Sequence, residues 1–414
     1  DANFGIMSRD VEIARRAAEI KTRTGYPHLV GYYPAKNTTK HLAAIMDIFM
    51  TAGIGPSAPL SLQSTDAGTL EAIDRSNISN DHFAALAAEM RRQGLPLQGE
   101  LILGLPGQSV EAYKADLQFL LDHEITPRTW PLQLLPNAPM NDPDYREEHQ
   151  LVVDDDNVVI STAAAGPDDR RRMIRLRNTE AVTERYGLLR HIMRHLQWDH
   201  HIPATDVMEH LIDVCDTDPD TYPSLTWTLT NYDLHPAPAI GWTAFYTDVR
   251  RFLTDRYNLS ADTALDTVIA LQHFLMPAPG RRFPATITLT HDYLTYYRSA
   301  TRDLTTTGAA GHPDQPLIDH PPTTFTITGD PLHLCTNGLR IAGDSRHERL
   351  PGDFVLGANS ANELDSPLIR HLPWVAANGI PSTDLQQPRR TAGDDAPTGD
   401  GTDQTASVRV ELRG

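Results

Sequence analysis

The chain has 414 residues, 54 acidic against 36 basic, and a formal charge of −18, which repels phosphate backbones and argues against general nucleic-acid binding. With 40% hydrophobic and 22% charged residues it reads as globular, and no apolar run reaches the roughly 18 residues of a membrane span. No secretory signal leads the chain, and Cys215 and Cys335 form neither a disulfide framework nor a metal motif, so a reducing, cytoplasmic setting is expected.

From Ser8, which can cap it, a first helix is expected with Ile13, Ala17 and Ile20 on one face, acids Asp10 and Glu12 in its first turn, and Gly25 ending it. His28 to Tyr33 reads as a short strand. Thr38 or Thr39 opens a helix carrying Leu42, Ile45, Met46 and Phe49. Ala58 to Gln63 is a second strand, and Ser79 caps a helix running through Leu86 and Met90 to Gly94. Leu97 to Leu103 is a third strand, followed by the loop Gly104 to Gln108 and a helix from Ser109 with Val110, Tyr113, Leu117 and Leu120 inside. Thr129 to Leu135 is a fourth strand, ended by Pro136-Asn137-Ala138-Pro139. Strand and helix alternate with short loops, which predicts parallel strands with chemistry at their carboxyl ends.

The second half differs. Asp168 to Trp198 predicts a long helix broken near Gly187, with further helices at Thr205 to Cys215 and Ser260 to Met276 and a strand at Phe283 to Leu289. The expected organisation is an α/β unit over 1–160, a mainly helical domain over 161–300, an irregular extension over 301–381 and a disordered tail over 382–414.

Four segments fall at the carboxyl ends of consecutive expected strands: Asp1 to Gly5, Pro59 to Ser64, Gly99 to Gln108, and Leu134 to Asn137. With Tyr33-Pro34-Ala35-Lys36-Asn37 and Leu70 to Arg75, residues 1 to about 160 resemble the radical S-adenosylmethionine (SAM) superfamily, in particular members with an N-terminal cobalamin-binding domain. The resemblance implies a partial TIM-type (β/α)6 barrel lacking its first strand, followed by the mainly helical C-terminal domain. It implies SAM, a [4Fe–4S] cluster and cobalamin as cofactors, a small-molecule substrate, and an electron donor such as flavodoxin or ferredoxin. The activity it implies is reductive cleavage of SAM for radical chemistry, with C-methylation or rearrangement as the outcome. The CxxxCxxC loop that holds the cluster in the family is absent here. Because the sequence opens at Asp1 with Phe4 and Ile6 already in a structured pattern, that loop is expected upstream; the rival is a cluster-less scaffold.

Carried over by position, Asp1 and Asn3 match the groups facing the SAM amino group, and a turn is their alternative. Gln63 and Ser64 match the ribose-binding position, with a helix N-cap as the alternative. Ile102 and Gly104 match the segment running beside adenine, where a missing side chain lets a flat ring approach. Gln108 stands where the family often has Glu. Leu135 matches the last strand's edge near adenine, with ordinary core as its alternative. Arg75 is a candidate partner for the SAM carboxylate, against a surface pair with Asp74 or Glu71. Separately, His191 and His195 stand four apart with Asp199, His200 and His201 beyond, a spacing that suits a metal. Arg190 and Arg194 flank them, which favours a solvated basic helix end. The arginines from Arg170 to Arg177 read as a solvated face or as an interface with an acidic neighbour.

Overall fold

The computed structural model describes residues 4–349 apart from 28–29, 31–40, 53, 55–57, 76–79, 93–96, 186, 231–241, 277–281, 283, 328–339 and 344–345. Helix α1, Ser8–Thr24, starts one residue after its cap, which is Met7 rather than Ser8. The reason is Asp10: its buried carboxylate accepts the N–H groups of Gly5 and Met7 at 2.9 and 3.1 Å, satisfying donors the first turn leaves open. Gly25, at φ +76°, closes the helix as expected. After α2, Leu42–Thr51, come β1, Ala58–Gln63, α3, Ala67–Ala72, α4, Asn80–Arg92, β2, Leu97–Leu103, α5, Val110–Asp122, and β3, Thr126–Pro131. Most of the strand expected at His28 to Tyr33, the caps Thr38, Thr39 and Ser79, and Gly94 lie outside the described residues.

Strands β1, β2 and β3 pair in that order, all parallel, with Ser61 opposite Glu100, Glu100 opposite Arg128, and Ile102 opposite Trp130. Leu60, Leu62, Leu101 and Leu103 point to one face and bury against Phe83 and Ala87 of α4 and Tyr113, Leu117 and Leu120 of α5. Each fully buried leucine there contributes about 1.5–3 kcal/mol. Gly99 is needed for this contact, because a Cβ there would stand 2.4 Å from Leu120. The fourth expected strand is shifted: β3 ends at Pro131 rather than Leu135. Glu124, at φ +50°, turns the chain straight from α5 toward the strand. Beyond Leu132, whose N–H still reaches Leu103 at 2.8 Å, the chain leaves the sheet, and Leu134 donates to Asn157 instead.

Helix α6, Pro143–Glu148, and the hairpin β4, Val152–Val153, with β5, Val159–Ser161, lead into a helical stack. It comprises α7, Pro167–Glu180, α8, Arg190–His200, α9, Ala204–Thr217, α10, Pro223–Thr230, α11, Trp242–Tyr257, and α12, Thr263–Leu275. The long helix expected over Asp168 to Trp198 is two helices, separated by a π turn at Ala181–Arg185 and by Gly187 at φ +73°. One core runs unbroken from the parallel sheet through Met173, Leu176, Ile192 and Met193 into this stack. The acidic neighbour of the arginine face is α9 itself: Arg172 pairs with Glu209, and Arg175 Nη2 lies 2.7 Å from Asp216.

Strand β6, Ala285–Leu289, falls where a strand was expected; α13, Tyr293–Thr301, follows. The stretch 301–381 is not wholly irregular: β7, Thr323–Ile327, β8, Arg340–Gly343, and β9, Arg346–Arg349, extend β6 into an antiparallel sheet. Threonines flanking buried Phe325 give β7 its two-residue alternation. The tail 382–414 lies outside the described residues. No helix among the described residues is long and apolar enough to cross a membrane.

Candidate functional site

The sheet face opposite the α4–α5 core carries a different set of side chains. Because residues alternate along a strand, Ser61, Glu100, Ile102, Arg128 and Trp130 point away from the leucines, while a bulge after Ser61 shifts the register so that Gln63 stands opposite Leu101. None of the five is fully buried. The Ser61 hydroxyl donates to the Glu100 carboxylate across the strand pair. The Arg128 guanidinium lies 5.0 Å over the Trp130 ring, which is 45% exposed, placing a cation and an aromatic face side by side. Ile102 packs with Leu105, Leu132, Leu134 and Val159, a small apolar cluster at the carboxyl end of this face.

A buried carboxylate fixes the carboxyl ends of β1 and β2 relative to each other. Asp116 of α5 accepts from Ser64 Oγ at 2.8 Å, from Thr65 N–H at 2.6 Å and from Thr65 Oγ1 at 2.7 Å. Gln108, fully buried, donates to Asp116 at 3.4 Å and to the Ile102 carbonyl at 3.1 Å, while its Oε1 accepts the Gly104 N–H at 2.9 Å. The amide donates and accepts at once, whereas an ionised carboxylate only accepts, so Gln serves here where an ionised Glu would not. At these two ends Gln63, at φ +67°, and Gly104, at φ +87°, adopt left-handed backbone. For Gln63 that conformation costs about 1–3 kcal/mol, the kind of strain that clusters at functional sites. Among the described residues, a Cβ at Gly104 would meet the Val159 carbonyl alone, at 3.8 Å, so the glycine leaves space there.

Six of the expected site residues lie among the described residues. Gln63 ends β1 opposite Leu101, and Gly104 follows the end of the neighbouring strand β2 three positions later. Ser64 is fully buried and turned toward Asp116; the cap of α3 is Asp66, whose Oδ2 accepts Thr69 N–H at 2.7 Å. Arg75 is half-buried and donates to the Ser61 carbonyl at 2.8 Å, and burial lowers its pKa. Leu135 is 60% exposed beyond the end of β3, and Asp1 and Asn3 lie outside the described residues. The sequence reading missed Arg128, Trp130 and Asp116. The last was readable, since it falls three residues after Tyr113 and four before Leu120, on the inner stripe of α5.

The solvated helix end expected at Arg190 to His195 is instead buried core. Arg190, His191, Arg194 and His195 are 4%, 3%, 1% and 1% exposed. Arg194 forks onto Glu184 at 3.1 and 3.2 Å and pairs with Glu124, which also meets Arg190 at 3.3 Å and the Tyr297 hydroxyl at 3.0 Å. His191 faces Tyr293 Oη at 3.0 Å; burial, with Arg190 beside it, pushes its pKa from 6.5 down to about 3. Between those values the unfolded chain binds one more proton than the folded one. Stability is therefore expected to fall by about 1.4 kcal/mol per pH unit as pH drops below about 6.5. Comparing unfolding free energies at pH 7 and 5 should show about 2 kcal/mol more acid loss in the wild type than in His191→Gln. Equal losses in both would refute this role.

No protein-family profile matches the chain. Two curated relatives do. A cobalamin-dependent radical SAM methyltransferase, TokK of Streptomyces tokunonensis, is 39% identical over 154 residues, 36% of this chain and 22% of that protein. The 2-(S-pantetheinyl)-carbapenam-3-carboxylate methyltransferase of Streptantibioticus cattleyicolor is 39% identical over 147 residues, 35% of this chain and 21% of that protein. Over about a third of its length the chain resembles cobalamin-dependent radical SAM methyltransferases, and it spans about a fifth of the relatives it matches.

Proposed function

We propose that this chain supplies part of a radical SAM barrel in a cobalamin-dependent methyltransferase, and that the carboxyl ends of β1 and β2 bind the adenosyl half of SAM. The observation that carries the reading is the pair of left-handed positions at Gln63 and Gly104, at the ends of adjacent strands that Asp116 and Gln108 link through Ser64 and the Gly104 N–H. The 39% identity to two methyltransferases supports it. Gly104 leaves room for the flat ring, the Gln63 amide suits a ribose hydroxyl, and Arg75 and Arg128 offer guanidinium forks for a carboxylate. Trp130 presents an aromatic surface on the same face.

SAM fits this donor set; the cluster does not. A three-cysteine ligand set needs more than the two cysteines present, and the thiol of buried Cys215 is pushed up to about 11 by burial, away from the thiolate a metal requires. On this reading another segment or chain provides the cluster ligands, and a flavodoxin or ferredoxin the electrons. SAM, when bound, supplies the methyl group or the deoxyadenosyl radical. This chain's residues hold the nucleoside in place. The acceptor is a small molecule. The cysteine count also favours a second reading, a scaffold or partner barrel without catalytic activity.

The nucleoside half needs no cluster, so 5′-deoxyadenosine separates the two readings. Calorimetric titration of the chain is expected to show one saturable site, and Gly104→Val to weaken it at least about tenfold, equivalent to about 1.4 kcal/mol. A wild-type chain that shows no saturation would favour the scaffold.

A further inference from the structure

Outside the strand ends, one cluster of ligand-type side chains is unexplained by the proposed function. His195 and His200 of α8 and Asp262, which caps α12, bring their ligand atoms within 4.8 Å of one another, the group of this kind found among the described residues. His195 Nε2 is 3.1 Å and His200 Nε2 2.8 Å from the same atom, Asp262 Oδ2. The other carboxylate oxygen, Oδ1, is occupied in capping α12 through the Leu265 N–H at 3.0 Å. Oδ2 is thus the oxygen left for a shared partner of both rings.

On the far side of His195, Nδ1 lies 3.4 Å from Asp199 Oδ2. Asp199 is itself fixed by the Tyr296 hydroxyl at 3.0 Å and the Leu317 N–H at 2.9 Å. Suppose nothing sits between the rings and Asp262. Both Nε2 atoms must then donate to one oxygen, and Nδ1 must also carry a proton to avoid turning a lone pair on a carboxylate. An imidazolium at His195 answers both acids; a cation among the three does so as well, with both Nε2 lone pairs facing the ion and Nδ1–H facing Asp199. That is the carboxylate–histidine–metal arrangement in which an outer acid orients a ligating imidazole.

We propose that His195 Nε2, His200 Nε2 and Asp262 Oδ2 bind one divalent transition-metal cation of the zinc class, with Asp199 as the positioning residue. Two imidazoles and one carboxylate suit such an ion, at bond lengths of about 2.0–2.2 Å with a solvent molecule completing a tetrahedron. At such lengths two ligand atoms of a tetrahedron stand about 3.3 Å apart, so the 3.1 and 2.8 Å contacts to Asp262 Oδ2 would open slightly around the ion. Entry is from the His200 side, whose side chain is 26% exposed, against 13% for Asp262 and 1% for His195. The ion also balances charge: two carboxylates meet one dication. It ties α8 to the start of α12, through two residues 62 positions apart in sequence. The i, i+4 pairing of His191 with His195 is replaced, because His191 is turned to Tyr293.

The test uses the whole 414-residue chain, stripped with chelator and titrated with zinc and, separately, cobalt(II). One equivalent of each is expected to bind, and the cobalt form to show the intense visible bands of four-coordination. His200→Ala, at a partly exposed position, is expected to abolish the bands without loss of helix by circular dichroism. Asp199→Asn is expected to weaken zinc affinity about 10–100-fold while leaving one equivalent bound at saturation. The same affinity in His200→Ala as in the wild type, or no saturable uptake of either metal by the wild type, overturns the site. The outcome is independent of nucleoside binding, so it stands or falls apart from the methyltransferase reading.

Discussion

Glu124→Gln is expected to lower the unfolding free energy by about 3–5 kcal/mol, the typical cost of leaving a buried charge without its partner. Glu124 comes from the turn between α5 and β3, yet it lies inside the helical stack against Arg190, Arg194 and Tyr297. The group is charge-balanced, with Glu124 and Glu184 opposing Arg190 and Arg194. Burial alone would raise the Glu124 pKa, but Arg194 and Arg190 outweigh it and hold the carboxyl below its usual value. With the folded pKa depressed, the stabilisation is present above the ordinary glutamate range and disappears as pH falls through the folded value. Glutamine keeps the shape and removes the charge, leaving an excess guanidinium in a site with almost no water. Since domains are stable by about 5–15 kcal/mol, the loss should move the urea midpoint by a large fraction with the slope unchanged. Glu124→Leu combined with Arg194→Met should cost less than the sum of the single changes, because the pair is then removed together. A loss below about 1 kcal/mol for Glu124→Gln would mean that solvent reaches this cluster.

How far the sequence disclosed these features depends on how local each one is. The helix that Ser109 caps and the stop at Gly25 depend on neighbours within four residues, and both appear in the structure where expected. So does the parallel pairing of the strands at Ala58 and Leu97, which follows from βα spacing. The basic segment Arg190 to His195 was misread because its environment is set from far away. Glu124 lies 70 positions before Arg194, and Asp262 67 positions after His195. Taken alone, two arginines and two histidines at helical spacing read as a wet helix end, and only the fold supplies the acids that make burial tolerable. The strand at Thr323–Ile327 shows the reverse: its alternation was present but short, and it needed β6 as a partner to become a strand. Leu135 illustrates a boundary error. The apolar run continues past Pro131, but the backbone donors beyond Leu132 turn to Asn157, so the run outlasts the strand.

Asp116 offers the sharpest link between stability and the proposed nucleoside site. Asp116→Ala strips the acceptor from Ser64 Oγ, Thr65 N–H and Thr65 Oγ1. Each of these three bonds to a charged acceptor is worth about 1 kcal/mol or more, so the total expected loss is about 3 kcal/mol. Asp116→Asn keeps the volume and one accepting oxygen and should cost roughly half as much. The second consequence separates positioning from mere stability. With Asp116 gone, the carboxylate link from Ser64 and Thr65 to Gln108 is lost, and the left-handed turns at Gln63 and Gly104 are held less firmly relative to each other. Under conditions where Asp116→Asn remains fully folded, 5′-deoxyadenosine affinity is therefore expected to fall about tenfold or more, since sub-ångström misplacement is costly in preorganised sites. Leu117→Val, one residue along the same helix but facing the core, serves as the control. It should lower stability by a comparable amount while leaving nucleoside affinity unchanged. Parallel losses of affinity in both variants would show that the strand ends respond to overall stability rather than to the carboxylate that joins them.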